Sequence, residues 1–282
     1  MKKSTVILIA IGLIIIFTII VYFGVRYARG NPVTIKEPTE SVTLAADYID
    51  KDINLDKGVS MDIWDNIEAV EIELLHQVMV MPWSKSLMSP LEVKAFHNNS
   101  NIYFYLSWKD DTKDITIDID EFTDASAVMF PLEDEIQPST ILMGFIGGAN
   151  IWHWKASQDK EYWSVVPAET DNYVDSYYPF EEEELFAVSK EKIESAVSDL
   201  IAIRVGTITH KQNQNIQGRS LFEDGIWHVV FKRSMDIEDP ETDLVIEPGQ
   251  EKLIAFAIWN GSNGDRGGRK SISDWVELNV NN

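Results

Sequence analysis

The stretch that decides the fold is LEVKAFHNNSNIYFYLSW, residues 91–108. Within it, Leu91–His97 alternates apolar and polar side chains with a period of two, as a half-buried strand does. The polar residues 98–101 indicate a turn, and the apolar and aromatic run Ile102–Trp108 predicts a second strand. The two segments together predict a β-hairpin.

The same signals recur along the chain and predict a β-sandwich. Ala69–Leu74 alternates in the same way, and further candidate strands lie at 125–130, 151–155, 226–232 and 253–259. Many short strands separated by turn residues are typical of two packed sheets. One segment differs, because apolar residues in 185–204 recur at roughly helical spacing after the acidic run Glu181–Glu184. We therefore predict a mainly β fold with a peripheral helix at 185–204.

The N-terminus carries a long apolar segment. Ser4–Val25 contains no charged residue, and its length as a helix, about 33 Å, suffices to cross a hydrocarbon core of roughly 30 Å. A cleaved signal peptide is the alternative, but the apolar run is longer than such peptides carry and Tyr22–Arg26 lacks a small-residue cleavage site. We predict an N-terminal transmembrane helix, with the following domains: anchor 1–29, polar linker 30–60, and folded domain 61–282.

The basic residues that flank this segment are nearly balanced. Lys2 and Lys3 precede it, and Arg26 and Arg29 follow it, so the positive-inside rule only weakly favours a cytoplasmic N-terminus. The expected location is the cell membrane, with a single pass and the C-terminal domain on the extracytoplasmic side.

Composition excludes several functions. A net charge of −22 argues against nucleic-acid binding, because phosphates would be repelled. The absence of cysteine removes disulfides, thiolate nucleophiles, cysteine-ligated iron–sulfur clusters and thioether-attached c-type haem. Any metal centre in this chain must use His, Met, Lys, Tyr or carboxylate ligands.

Catalytic motifs do not stand out. The sequence contains no Walker loop, no nucleophile elbow and no His-Glu-x-x-His helix, which disfavours an enzyme. The glycine-rich stretch Gly264–Arg269 is expected to be a flexible loop. Acidic residues between Asp110 and Asp124 suggest calcium only crudely, since the stretch lacks the glycine of a twelve-residue calcium loop.

An ordered set of motifs indicates a protein family, which composition alone does not. The sequence resembles the haem b-binding γ subunits of the ethylbenzene dehydrogenase, dimethylsulfide dehydrogenase, chlorate reductase and selenate reductase group, from about Trp64 to Trp275. The stretches that carry the resemblance are FYLSWKD (104–110), DASAVMFP (124–131), Met143-Gly144 with NIWHWKA (150–156), DGIWHVVFKR (224–233), FAIWNG (256–261), KSIS (270–273) and Trp275.

This resemblance implies a β-sandwich of immunoglobulin-like or carbohydrate-binding-module-like type that holds one non-covalent haem b. It implies an electron-transfer subunit, not itself an enzyme, that works with an iron–sulfur subunit and a molybdenum-containing catalytic subunit and links them to the respiratory chain. Family members also include soluble periplasmic subunits, so the anchor is a departure. It leaves open whether the chain serves a molybdoenzyme or a quinone-linked chain directly.

The family's axial haem ligands are a methionine and a lysine, which the motifs place at Met143 and Lys270. Methionine is a soft iron ligand, and lysine ligates only as the neutral amine. Met129 and Lys232 are the rival pair, and Arg233, Arg266 and Arg269 are candidates to meet the haem propionates. The alternative function is a surface-anchored carbohydrate-binding or adhesion module without haem, in which Trp83, Trp108 or Trp152 would stack on sugars.

Overall fold

The computed structural model describes residues 42–78, 81–132, 148–164, 173–175, 187–189, 193–203, 207–237 and 242–282. These residues form sixteen strands, one α-helix, α1 (Ala156–Tyr162), and three single-turn 3₁₀ helices, at Leu55–Lys57, Trp64–Asn66 and Gly261–Asn263. The strands are β1 (Thr43–Tyr48), β2 (Val70–Ile72), β3 (Leu74–His76), β4 (Leu91–His97), β5 (Asn101–Lys109), β6 (Ala125–Pro131), β7 (Ala149–Lys155), β8 (Tyr173–Asp175), β9 (Ala187–Ser189), β10 (Val197–Ala202), β11 (Thr209–His210), β12 (Ile216–Glu223), β13 (Ile226–Ser234), β14 (Glu251–Trp259), β15 (Ser271–Ser273) and β16 (Val276–Val280).

Strand β14 connects two sheets. Its first half, Glu251–Ile254, pairs with β16, and the first sheet continues through β1, β4, β5, β13 and β12. Its second half, Ala255–Trp259, pairs with β6, and the second sheet continues through β7, β10 and β11. On the other side of β14, the second sheet continues through β15 to the edge strand β3.

The two sheets pack face to face over an aromatic interior. Phe104 of the first sheet lies 5.7 Å from Trp152 of the second, and Trp227 lies 5.1 Å from Trp154, measured between ring centroids. All four side chains are almost fully buried. Large flat rings fill the space of about 10 Å between stacked sheets. The prediction of a mainly β, two-sheet fold is confirmed.

The predicted hairpin is present. Strands β4 and β5 are antiparallel, with Ala95 opposite Phe104. Between them, the Asn98 side chain accepts hydrogen bonds from the backbone N–H groups of Ser100 (3.1 Å) and Asn101 (2.8 Å). Asn99 takes the left-handed conformation, with φ 66°, that asparagine tolerates better than most residues. The local turn chemistry thus agrees with the alternation on both sides of it.

Folded structure begins earlier than the sequence predicts. Thr43–Tyr48 falls inside the 30–60 segment that was expected to be a linker, yet it forms β1, parallel to both β16 and β4. The following residues cover the outward face of the first sheet, where Leu55 and Trp64 are buried against Tyr105 and its neighbours. This strand pairs with β4 and with β16 near the C-terminus, and the local sequence does not reveal either pairing.

The predicted helix at 185–204 is wrong. Ala187–Ser189 and Val197–Ala202 are strands, and β10 pairs antiparallel with β7 along its whole length. Asp199, a polar residue, is fully buried in β10, which breaks the simple alternation expected of a strand. The α-helix of the described chain is instead α1, which directly follows β7 and packs against β7 and β12.

None of the helices in the described ranges has the length and apolar character needed to cross a membrane. The segment Ser4–Val25 lies outside those ranges, and its role as an anchor stays a prediction from the sequence.

Candidate functional site

The outward face of the second sheet is lined by alanines. Six of them are at most 5 % exposed, and they occupy four neighbouring strands: Ala125 and Ala127 on β6, Ala149 on β7, Ala202 on β10, and Ala255 and Ala257 on β14. Each alternates along its strand with residues that point into the sandwich. We call this surface the alanine face.

The strand register aligns the small side chains across the sheet. One row runs from Ile272 through Ala257 and Ala127 to His153, and a second runs from Ala255 through Met129 to Ile151. Four adjacent strands span about 14 Å, because neighbouring strands lie about 4.8 Å apart. The methyl groups of the alanines project little from the sheet, and the larger side chains of this face, among them Met129, Ile151 and Ile272, are also apolar.

Lys270 lies at the β14–β15 side of this face, immediately before β15. Its side chain follows the same alternation as Ile272, and its Nζ sits 4.7 Å from the ring centroid of Trp259. The residue is only 7 % exposed. Burial lowers the pKa of Lys270 to about 7, so a large fraction of the amine is neutral near neutral pH. A neutral amine carries the lone pair that ligation of a metal requires.

Trp259 connects the residues around the lysine. Its indole N–H donates to the backbone carbonyl of Gly267 (2.9 Å), three residues before Lys270. Its ring lies 4.9 Å from that of His153, across the small side chains of β6. One side chain therefore contacts the lysine, fixes the loop that carries it, and meets the histidine of the same sheet face.

The loop from Asn260 to Lys270 is fixed by buried carboxylates. Asp124 accepts hydrogen bonds from the backbone N–H of Gly261 (2.9 Å) and from the indole of Trp227 (3.0 Å). Asp110 accepts one from the side-chain amide of Asn260 (2.8 Å). Only glycine fits at 261, because a Cβ there would lie 1.9 Å from the carbonyl oxygen of Phe122. The loop that positions Lys270 is thus held against the β5–β6 connection.

These carboxylates titrate far from their ordinary range. Burial and the nearby carboxyl of Asp110 raise the pKa of Asp124 to about 7, and burial raises that of Asp110 to about 6. The calcium alternative finds no support here. Within the described ranges, no group of three or more His, Asp or Glu residues is arranged to hold a metal ion.

Arg266 and Arg269 lie in the loop just before Lys270. They line an open cleft of about 570 Å³ together with Lys85. The guanidinium of Arg269 donates to the carbonyl of Asn263 (2.9 Å) and lies 3.5 Å from Asp265. Arg266 is exposed, with its guanidinium 4.4 Å from the Phe122 ring. Both cations are therefore next to Lys270 in the chain, and Arg266 faces solvent.

The structure does not bring Arg233 to this face. Its side chain lies in the interior between the sheets, 5.5 Å from the Trp152 ring and 3.6 Å from Asp243. Asp243 also pairs with Lys211, which in turn lies 3.3 Å from Asp199. These two cations and two carboxylates balance one another, so Arg233 belongs to a buried network on the other side of the second sheet.

The rival ligands are separated by the sandwich. Lys232 lies on the outward face of the first sheet, where it donates to Asp52 (2.7 Å) and sits 5.7 Å from the Tyr103 ring. Met129 is buried on the alanine face, opposite Ala255. Met143 lies outside the described residues. Of the four candidates, Lys270 and Met129 are placed on one surface.

The tryptophans of the carbohydrate-binding alternative are mostly inaccessible. Trp108 is 2 % exposed and Trp152 is fully buried in the interior, so neither can stack on a sugar. Trp83 is 54 % exposed. The alanine face and Trp259 were not predicted from the sequence. The available signal was the repeated Ala-x-Ala pattern at 125–127 and 255–257, which places two alanines on the same face of each strand.

Comparison with known proteins identifies relatives of this chain. The family model described as "Ethylbenzene dehydrogenase" matches residues 61–271. A protein of Haloferax mediterranei named as a respiratory nitrate reductase heme subunit is 25 % identical over 219 residues, which cover 77 % of this chain and 66 % of the relative. The chlorate reductase subunit gamma of Ideonella dechloratans is 22 % identical over 190 residues, covering 67 % of this chain and 64 % of the relative.

The chain spans slightly less than two thirds of the length of these relatives. Among solved structures, a family 9 carbohydrate-binding module from Caldicellulosiruptor kristjanssonii in complex with glucose aligns with a TM-score of 0.42 and 8 % identity, covering 84 % of this chain and 94 % of the module.

Proposed function

The chain belongs to the ethylbenzene dehydrogenase family, the family of haem-binding γ subunits, and we propose that it is a haem b electron-transfer subunit. The single observation that carries this proposal is the buried Lys270 amine at the edge of a flat, alanine-lined sheet face. A haem b supplies a one-electron carrier, because its iron cycles between the ferric and ferrous states.

The residues of the alanine face fit such a group. The small alanine side chains would leave room for a planar macrocycle beside the sheet, and the burial of this face would keep water from it. Lys270 would supply a nitrogen donor, because burial lowers its pKa to about 7 and so makes the neutral amine available near neutral pH. The chain has no cysteine, so a haem here is held without thioether bonds, as a b-type group is.

Met143 is the proposed second ligand. The sequence motif carries this assignment, and the thioether is the soft donor expected to raise a reduction potential. Met129 remains the alternative because it lies on the alanine face. Arg266 and Arg269 are the proposed partners of the propionates, since they are the cations of the Lys270 loop. Arg233 has no such role in this proposal, because Asp243 neutralises it in the interior.

The relatives and the N-terminal sequence support the proposed partners and location. One relative is named as a heme subunit of a respiratory nitrate reductase, and the other as a gamma subunit of a chlorate reductase. We place this chain in an analogous complex, exchanging electrons with an iron–sulfur subunit, a molybdenum-containing subunit and the respiratory chain. Ser4–Val25 would anchor it in the cell membrane with residues 42–282 on the extracytoplasmic side.

Paired ligand variants test the assignment. The full chain, reconstituted with haem, is compared with Lys270→Leu and its control Lys232→Leu, and with Met143→Leu and its control Met129→Leu. Leucine keeps the approximate volume of methionine, so the fold should survive. We expect Lys270→Leu to convert a low-spin ferric absorption spectrum to a high-spin one. Met143→Leu should lower the reduction potential.

The controls should retain the parent spectrum and potential. If Met129→Leu and not Met143→Leu lowers the potential, the thioether ligand is Met129. If Lys270→Leu and both methionine variants keep the parent low-spin spectrum and potential, the ligand assignment is wrong.

A further inference from the structure

Four large apolar side chains are exposed on the segment that follows β3. They are Val78, Met81, Trp83 and Leu87, which are 59 %, 80 %, 54 % and 38 % exposed, and we call them the apolar patch. The indole N–H of Trp83 donates to the carbonyl of Val78 (3.1 Å), which joins the two ends of this part of the segment. A single exposed apolar residue is ordinary, whereas a group of this kind marks an interaction surface.

Buried contacts hold the segment against the domain. The hydroxyl of Ser84 donates to the carboxyl of Asp265 (3.0 Å), and the N–H of Met88 donates to the hydroxyl of Ser271 (3.1 Å). Both Ser84 and Met88 are buried. The apolar patch is therefore presented on a backbone that the domain fixes at two points.

The exposed polar residues of the segment carry no negative charge. Lys85 and Ser86 are exposed between the apolar side chains, and residues 76–90 contain no Asp or Glu, although the chain has 46 acidic residues. Tryptophan and lysine are suited to a membrane–water interface, because each joins an apolar body to a polar end. The composition of the segment thus fits the boundary between lipid headgroups and acyl chains.

The cleft beside the patch carries charges of both signs. It is lined by three cations and three carboxylates: Lys85, Arg266, Arg269, Asp114, Asp120 and Glu121. A strongly anionic or strongly cationic partner surface would meet like charges there. A zwitterionic lipid headgroup carries both signs itself, and the acyl chains beneath it accommodate the apolar side chains.

The N-terminal chain enters the folded domain close to β3. Thr43 pairs with Glu277 on β16, and the N–H of Glu277 donates to the carbonyl of Val42 (2.9 Å). Four residues before Glu277, Ser273 pairs with Leu74 of β3, the edge strand that leads into the patch. Four residues of extended chain span about 14 Å. The point of entry and the edge strand are thus neighbours on the domain surface.

The predicted anchor determines which surface the patch meets. Ser4–Val25 is predicted to cross the membrane, and only sixteen residues, 26–41, separate it from Val42. A tether of this length keeps the domain at a high effective concentration next to lipid, on the order of millimolar, so a small apolar surface binds without high affinity of its own. The bilayer is therefore the apolar partner that the chain itself holds beside the patch.

We propose that the apolar patch inserts into the interfacial layer of the bilayer that the N-terminal segment spans. This orientation turns β3 and the adjacent Lys270 loop toward the membrane. It leaves β10 away from the membrane, because β10 lies five strand spacings from β3, about 24 Å across the second sheet. The inference goes beyond the proposed function and does not depend on haem.

Fluorescence quenching by lipid tests the proposal in the full chain. The chain has no cysteine, so Met81→Cys carries a single NBD fluorophore, and Ile203→Cys, at a 70 % exposed position beside β10, is the matched control. Each labelled chain is reconstituted into phosphatidylcholine bilayers with and without nitroxide-bearing acyl chains. We expect at least twofold quenching and a blue-shifted emission at position 81, and neither at position 203. Added 0.5 M salt should not reduce the quenching, because the contact is apolar.

Three results would overturn the proposal: no quenching at position 81, equal quenching at both positions, or a blue shift at 81 without quenching. The last result would mean that a second copy or another protein covers the patch. The haem absorption spectrum is recorded in parallel. A normal haem spectrum without quenching at 81 refutes the membrane contact alone and leaves the proposed electron-transfer role standing.

A charge substitution gives a second measurement. Met81→Asp introduces a carboxylate at an 80 % exposed position, so the thermal unfolding midpoint should not change. With the fluorophore on Leu87→Cys, Met81→Asp should reduce lipid quenching by at least half, whereas Ile203→Asp should leave it unchanged. Undiminished quenching at position 87 in Met81→Asp would contradict the proposal.

Discussion

At the scale of single residues, Lys270 combines a cost to folding with its proposed role as a haem ligand. Its folded-state pKa, about 7, lies below the unfolded value of about 10.5. Between these pH values the unfolded chain binds more protons at this residue, so the free energy of unfolding rises with pH, by up to about 1.4 kcal/mol per pH unit.

Lys270→Leu should therefore stabilise the haem-free chain at pH 7 and remove this pH dependence. Urea unfolding of the haem-free chain at pH 7 and pH 9 is the measurement. A parent chain whose stability is the same at both pH values would show that the lysine is not buried as described.

Trp259 should act as a positioning residue for Lys270. Its ring supports the amine, and its indole N–H holds Gly267. Trp259→Leu removes both contacts, and Trp259→Phe keeps an aromatic ring. If packing of the ring against the neutral amine and its methylene stem contributes about 1 kcal/mol to lysine ligation, cyanide should displace the lysine from the ferric haem about fivefold faster in Trp259→Leu.

Stopped-flow absorption measures that rate. The rate in Trp259→Phe should lie between the rates in Trp259→Leu and in the parent. A general structural weakening would lower the unfolding midpoint of both variants without ordering the cyanide rates in this way. Equal rates in all three proteins would mean that Trp259 does not position the lysine.

Lys270 and Arg233 show which properties of the site residues the sequence could predict and which it could not. Lys270 was found because a motif contains it, and its burial agrees with that assignment. Arg233 was chosen for its charge alone, but its position on β13 turns it into the interior beside Asp243. Whether an arginine faces a ligand or a core depends on strand register, which the local sequence does not contain.

At the scale of elements, the connection between β5 and β6 controls the Lys270 loop through Asp124. The folded pKa of Asp124, about 7, is above its unfolded value of about 3.8. The folded chain therefore binds more protons between these values, and this group lowers stability as pH rises from about 4 to 7.

Asp124→Asn should flatten that decline, by up to about 1.4 kcal/mol per pH unit. Thermal unfolding at pH 5 and pH 7 measures it, with the exposed Asp236→Asn as the control. The variant should also be less stable than the parent at pH 5, because the amide cannot accept all three donors that Asp124 accepts. A pH slope equal to that of the parent would contradict the assignment.

Elements were predictable where one face of a strand is buried and the other is not. Leu91–His97 alternates, and both its pairing and its turn were read correctly. β10 was misread, because Asp199 is buried by its bonds with Asn150 and Lys211, and an apolar count treats it as exposed. β1 was missed because its partners, β4 and β16, are distant in the chain.

At the scale of the whole molecule, we expect Ser4–Val25 to remain attached and to hold the chain in the membrane. Membrane fractions extracted with alkaline carbonate should retain the protein, and its intact mass should include residues 1–29. A mature chain that starts near residue 30 would show that the segment is a cleaved signal peptide.

The central claim is that the alanine face binds one haem, and a haem titration of the purified full chain tests it most directly. Absorption should show a Soret band that saturates at one haem per chain. Ala127→Phe, which places a ring at the centre of the face, should abolish saturation, while the exposed control Ala45→Phe should not. No saturable Soret band in the parent, or equal binding by Ala127→Phe, would contradict the account.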